Sequence, residues 1–380
     1  MANLRELRNR IASVKSTKKI TSAMKMVAAS RLRQAQEAVT GAGYYAASQG
    51  RIIQRLAKTV DYIAQTDVTQ GRAPSVKLPS VLTGIKKNVQ NHVIIVFSSS
   101  RGLCGGFNIN VVKKAYQLLR HLEKEKQTFR IVCVGQHGYD MLKSVYADRI
   151  VAHFDVGTSL ERQHNDAEKM SAGILDLYEA GKIDVCTVIY NHFHSAISQE
   201  VRICPLIPLK PSQVIQPFLN ENPWGLDESE ETFKLHRESA SNKAETAFVG
   251  GKGVKGTKRK KQPRTAANVS RQYQTAQVAR ALNDQDNDET ASPDPLQYDF
   301  APENPETILR AMVPDLLATL IFRATLESVA SENGARMTAM DNATNNAADL
   351  IDDLTLQYNR TRQAMITNEL TEIISGAEAL

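Results

Sequence analysis

Apolar positions step by three and four at both ends of the chain. Near the start, Leu4, Leu7, Ile11 and Val14 fall on one helical face, and after a polar break at Lys18 the stripe resumes at Ile20, Met24 and Val27. No Gly or Pro interrupts Met1 to Thr40, and Asn3 with Glu6 three residues on has the form of a capping box. A helix is therefore expected almost from the first residue. Gly41 and Gly43 break the pattern, and a weaker one returns over 48–63 through Ile52, Ile53, Leu56, Val60 and Ile63. The pattern leaves open whether the helix bends at the glycines or runs on.

At the other end, Met340, Thr344, Ala347, Ile351, Leu354, Tyr358, Thr361 and Met365 alternate steps of three and four, the spacing of a coiled-coil seam. Ahead of it, Leu309, Met312, Val313, Leu316, Leu317, Leu320 and Ile321 give a broader apolar face, with Pro314 as a candidate kink. Charge adds a reason for the two ends to meet. Residues 1–36 hold nine Lys or Arg against the one acid Glu6, whereas residues 327–380 hold nine acids and three bases. Two helices with opposite charge and one apolar stripe each bury those stripes best against each other, antiparallel. About fifty helical residues reach roughly 75 Å, which implies a rod. Thr344, Ala347 and Thr361 bury little, so part of the rod is expected to face other chains.

Between the ends the periodicity changes to that of a layered α/β unit. Val93 to Phe97 is a continuous apolar strand of the kind buried on both faces of a parallel sheet. SSSRGLCGGFN at Ser98 to Asn108 is a glycine-rich turn leading into a helical stretch, Val111 to Leu122. Arg130 to Gly135 and Ile150 to Val156 read as further strands, Tyr139 to Val145 and Ala167 to Ala180 as helices, and Val185 to Asn191 with Gln199 to Leu206 as a hairpin. The turn sits where anions bind, at a strand end before a helix. Its spacing is neither G-x-G-x-x-G nor G-x-x-x-x-G-K-[ST], and no Lys follows, so a tight structural turn is the better reading.

Residues 211–297 differ in kind: acids at Asp227 to Glu231, a basic block from Lys252 to Arg264, acids again at Asp284 to Glu289, and few aliphatics. Such composition does not bury enough surface to form a core, and a disordered insertion is expected. GGKGVKGTK at Gly250 to Lys258 misses the phosphate-loop order, with Thr257 ahead of Lys258. Cys104, Cys133, Cys186 and Cys204 lie far apart without C-x-x-C spacing, which argues against zinc or a disulfide framework. His192 and His194 share a strand face but lack a third ligand nearby in sequence, so they read as surface or packing residues. The net charge of +6 suits an acidic partner, and the apolar runs are too short to span a bilayer.

Three segments resemble one family, the gamma subunit of the rotary ATP synthase. They are the basic helix from Leu4 to Gln36, SSSRGLCGGFN, and ITNELTEIISGAEA at Ile366 to Ala379. Two departures stand out: Ser100 where the family usually has Asp, and the added residues 211–297. The resemblance implies a shaft turned by proton flow inside a ring of alpha and beta subunits, resting with epsilon on the membrane c-subunit ring, with no catalytic site, no cofactor and no metal of its own. It implies a peripheral position at the cytoplasmic face of a bacterial plasma membrane. By position in the matching motifs, Met24 and Lys25 would face the acidic beta lever, and Arg362, Gln363, Thr367 and Glu369 would meet the beta catch loop. Leu370, Ile373 and Ile374 would sit in the apolar bearing at the top.

The expected fold is α/β: a long antiparallel two-helix coiled coil from the terminal segments plus a small Rossmann-like domain. The boundaries are 1–65 for the first helix, 66–90 for a connecting loop, 91–210 for the α/β domain, 211–297 for the insertion and 298–380 for the last helix. Two rivals remain at this stage. One is an α/β nucleotide hydrolase using the glycine turn, against which the missing phosphate lysine speaks. The other is a coiled-coil scaffold whose basic helix holds nucleic acid, and it leaves the terminal motifs unexplained.

Overall fold

The computed structural model describes residues 4–73, 76–83, 89–157, 159–209 and 305–378. The proposed cap at Asn3 and the whole 211–297 insertion lie outside them. Two helices dominate: α1, Leu4–Thr69, and α6, Pro305–Glu378. At 66 and 74 residues they are about 100 and 110 Å long. Gly41 and Gly43 neither end nor interrupt α1, and a Cβ at either would meet nothing within 4 Å. The helix runs past the expected boundary at 65 and ends at Thr69. Pro314 likewise sits inside α6 without ending it.

The helices run antiparallel, as three cross-links between them show. Arg8 donates to the Tyr358 hydroxyl at 2.9 Å, Thr344 Oγ1 to Thr21 Oγ1 at 2.8 Å, and Lys25 Nζ to Asp341 Oδ1 at 2.6 Å. On α6 the expected seam is correct from Met340 to Thr361: each seam position is buried or half-buried. Met365 is the exception at 43% exposure, because α1 has run out at its level. On α1 the stripe needs correction after Lys18. Ile20 and Val27 are 57% and 54% exposed, and the seam passes instead through Thr21, Ala28, Leu32 and Ala35, which are buried. A supercoiled pair keeps a repeat of 3.5, so the positions after Val14 are 18, 21, 25 and 28. Thr21 and Lys25 make this stretch of the seam polar, while Lys18 is exposed.

Five strands form one sheet in the order β3-β2-β1-β4-β5: β1 Asn91–Phe97, β2 Thr128–Val134, β3 Ile150–Phe154, β4 Val185–Phe193 and β5 Gln199–Ile207. The first four are parallel, and β5 closes antiparallel on β4 as the expected hairpin. Between them come α3, Phe107–Lys124, α4, Gln136–Tyr146, and α5, Leu160–Glu179; a single turn, α2, Ser80–Thr83, precedes the sheet. Val111, Val112, Ala115, Leu118, Leu119 and Leu122 of α3 step by three and four onto Ile94, Val96, Ile131 and Leu142, and all are buried.

On the sheet's far side α6 lies against β4, with α5 and α1 packed around it. This explains the broad apolar face seen in the sequence: Leu309, Val313, Leu316, Leu317, Leu320 and Ile321 are buried because α6 is covered on several sides here. Two glycines permit close approaches. A Cβ on Gly334 would lie 3.1 Å from the Phe193 ring and 3.4 Å from Ala196 Cα, so the hairpin tip packs directly on the α6 backbone. Thr338 Oγ1 then donates to Ala196 O at 2.8 Å. Gly135, at φ +98°, packs still more tightly behind β1.

Candidate functional site

The residues singled out by sequence occupy two regions of the helical pair. Met24 is half-buried beside Lys25, whose ion pair with Asp341 leaves the two side chains 43% and 44% exposed. Lys25 is thus already held by its own chain, a partner that lies 316 residues away and was not legible in the sequence. Around them Ile20, Met26 and Val27 are exposed, Met26 at 67%.

The second region is the end of α6. From Arg362 to Ser375 every residue is exposed, which includes Arg362, Gln363, Thr367, Glu369, Leu370, Ile373 and Ile374. Thr367 Oγ1 returns to Gln363 O at 2.9 Å, so those two are linked on one face. Ile373 at 71%, Leu370 at 54% and Ile374 at 51% form an apolar cluster on a single helix that α1 does not reach. An exposed cluster of this kind at a helix end marks a contact surface.

The α/β domain is fixed to α6 by polar contacts among which two carboxylates behave in opposite ways. Arg336 donates to Arg101 O at 3.1 Å and Gly102 O at 3.3 Å and pairs with Glu332 at 2.7 Å. The glycine-rich turn therefore spends two carbonyls on α6, in keeping with a structural turn. Ser100 donates to the Asp155 carboxylate and accepts from Val156 N at 3.3 Å, which ties the turn to the loop after β3. Deeper in, Glu327 is 2% exposed, bonded to His192 and paired with Arg323 at 3.1 Å.

Burial alone would raise the Glu327 carboxyl, but the His192 bond and Arg323 outweigh it and hold the group below the usual carboxylate range. At Glu332 burial wins over Arg336, and the carboxyl is raised. Folding thus favours protonated Glu332, and that contribution is lost as pH rises through the raised value. Glu332→Gln should therefore leave stability at pH 7 within about 1 kcal/mol of the parent, since Arg336 keeps both carbonyls. It should also flatten the pH profile just above the ordinary carboxylate range. Thermal unfolding between pH 4 and 8 measures both, and a loss of several kcal/mol would show that the pair itself holds the turn.

The two histidines share a strand face as expected, their rings 4.7 Å apart, and each takes a carboxylate: Glu327 for His192 and Glu200, at 3.0 Å, for His194. Among the described residues no group of three His, Cys, Asp or Glu side chains gathers to hold a metal. All four cysteines are buried free thiols, and burial pushes Cys133 and Cys204 up to about 12. Among the described residues no helix is long and apolar enough to cross a membrane.

Residues 3–380 match the family described as "ATP synthase". The ATP synthase gamma chain of Rhodospirillum rubrum is 39% identical over 381 residues and that of Pelagibacter ubique 37% over 380, each comparison covering 100% of both chains. A chain of the Euglena gracilis mitochondrial ATP synthase, from a structure of its OSCP/F1/c-ring assembly, shares the fold with a TM-score of 0.50. That match has 18% identity and covers 99% of this chain and 94% of the other.

Proposed function

The chain belongs to the ATP synthase gamma-chain family, and from that premise we propose that it is the enzyme's central shaft. It couples proton flow through the membrane c-subunit ring to ATP synthesis by rotating within the alpha and beta subunits, with epsilon beside it. The observation that carries this reading is the full-length match to gamma chains by a molecule built around two antiparallel helices, one overshooting the other. A shaft must be stiff along its length and present an uneven surface to its ring. The α1–α6 pair supplies stiffness, and the bare end of α6 and the polar stretch of seam supply asymmetry. The chain carries no catalytic site in this reading, and it is peripheral, on the cytoplasmic face of a bacterial membrane. The decisive experiment is purification of the native complex from its membranes. Alpha and beta subunits should accompany the chain in constant proportion, and their absence would remove the reading.

Within it, Met24 and Lys25 face an acidic lever of beta. Arg362, Gln363, Thr367 and Glu369 meet its catch loop, and Leu370, Ile373 and Ile374 turn in an apolar bearing. The exposure of all the α6 residues supports these roles, and the Lys25–Asp341 pair refines one of them. An exposed ion pair is worth under about 1 kcal/mol, so a passing carboxylate on the stator can compete with Asp341 for the ammonium. Asp341→Asn removes the competitor. The complex should assemble, but ATP-driven turnover should slow several-fold with a steeper temperature dependence, and Lys25→Gln in the same chain should restore both. Unchanged rate and temperature dependence in Asp341→Asn would place Lys25 away from the stator.

A further inference from the structure

A cleft of about 320 Å³ opens at the amino ends of β1, β2 and β3, the edge of the sheet away from the glycine-rich turn. Its wall carries Arg130 on β2, Arg149 in the short turn before β3 and Lys182 after α5, three exposed cations from three separate elements. Among the described residues none of the three makes an ion pair or a hydrogen bond through its side chain, and the one contact recorded for them is that of Arg149 with an aromatic ring. A cleft walled by one sign of charge concentrates counter-ions.

Two of these cations are set in place by their surroundings. The Arg149 guanidinium carbon stands 4.7 Å from the centroid of the Phe129 ring, which is 2% exposed and packed in the core under α3. Stacking fixes the guanidinium plane and leaves its N–H edges free to meet oxygens. Lys182 leaves α5 through Gly181 at φ +67°. Gly181 N donates to Tyr178 O at 3.0 Å and Lys182 N to Leu177 O at 2.9 Å, so the lysine stem starts from a closed helix end.

The charge of the wall selects the anion. Asp148 is the one acid among the lining residues. Asp184, close by, spends its carboxylate on Gln90 N at 3.2 Å and Asn91 N at 3.1 Å. Burial holds His92 below the usual histidine range, so that ring adds no charge at neutral pH. Three cations less one acid leave a formal +2. A carboxylate brings a single charge and two oxygens, whereas a phosphate monoester brings about −1.5 to −2 at neutral pH and three acceptor oxygens.

We propose that this cleft binds a dianionic phosphate group, its oxygens shared by the Arg130 and Arg149 guanidinium groups and the Lys182 ammonium. Two planar forks and a mobile ammonium suit a tetrahedral oxyanion. The bound group draws β2, the start of β3 and the end of α5 onto one centre and cancels the repulsion among their cations, which stiffens this edge of the sheet. Phosphate is consumed by the reaction proposed above, and a link between its supply and the shaft rests on that reading. The binding itself does not.

Titration calorimetry with inorganic phosphate at pH 8, on the full chain and on the intact complex, reads the binding. Phosphate should bind saturably at one site and raise the melting temperature of the full chain with concentration, and acetate should bind about tenfold more weakly. Arg130→Gln, Arg149→Gln and Lys182→Gln each replace an exposed side chain and so leave the fold intact, and each should weaken phosphate roughly fivefold. Asp148→Asn removes the repelling acid and should tighten it roughly threefold, whereas Arg10→Gln, on α1, should change nothing. Flotation with phosphatidylcholine vesicles containing one-fifth phosphatidic acid separates two sources of the group. Flotation that Arg149→Gln abolishes, without binding of free phosphate, assigns a lipid headgroup, and binding of free phosphate assigns a soluble one. Absence of both, equal affinity for acetate, or indifference to all three cations overturns the proposal.

Discussion

Gly135→Ala should unfold the sheet domain and leave the two long helices without it. Gly135 follows β2 at φ +98°, a backbone conformation that a side chain disfavours. The greater obstacle is space. An added Cβ would stand 2.2 Å from Ser98 O and 2.6 Å from Ser98 C, and backbone cannot swing aside as a flexible side chain can. Ser98 is itself fixed, donating its hydroxyl to Val134 O at 3.0 Å and accepting from Gly138 N at 2.9 Å. Relief therefore requires β1 and β2 to separate where they end. The cost should be roughly 4 kcal/mol or more, much of the stability of a typical domain. Circular dichroism should retain most of the helical signal while urea unfolding of the sheet shifts to far lower concentration. A change below about 1 kcal/mol would show that the strand ends give way easily.

Glu327→Ala should have an effect of similar size by another route. The substitution leaves Arg323 and His192 facing a cavity where a carboxylate was bonded to both. Removing one partner of a buried pair typically costs about 3–5 kcal/mol, because the remaining charge is uncompensated. Nearby, Arg202, Glu200 and His194 are engaged with one another, and burial keeps the Tyr190 hydroxyl and Cys204 thiol neutral, so none is well placed to substitute. The pH dependence has a definite sign. A carboxyl held below its unfolded value contributes stability above that value and loses it as pH falls through the folded one. The parent junction should therefore hold through mildly acidic pH and weaken only below the ordinary carboxylate range, and Glu327→Ala should lack that step. Hydrogen exchange of the β4 and α6 amides reads the junction directly, and unchanged protection would mean that packing alone holds it.

Local periodicity was legible in the sequence, whereas partners brought together by the fold were not. Met340, Ala347 and Leu354 announce their seam because helical periodicity is local, and the continuous apolar run at Val93 to Phe97 announces a buried strand for the same reason. Ile20 and Val27 misled because apolar residues lay one place from the true seam positions Thr21 and Ala28, whose small size does not advertise burial. There the helices approach closely and exclude larger side chains, and the isoleucine and valine face outward. Met24, Lys25 and the α6 end were marked by family resemblance rather than by any physical signal in their spacing. Glu327, Asp155 and Asp341 were out of reach altogether: each partners a residue between 55 and 316 positions away. A charge with a partner that distant looks in sequence like any solvated acid.

The pairing of α1 with α6 also governs how the molecule is made. Arg8 meets Tyr358 across 350 residues and Lys25 meets Asp341 across 316, so nearly the whole chain must be translated before the seam closes. At about 5–20 residues per second the first helix waits roughly 20–70 s with its apolar stripe uncovered. The sheet domain, whose contacts are far more local, can fold during that interval. Closure of the helical pair must then wait for α6 to emerge, and α1 is the segment that chaperones have longest to protect.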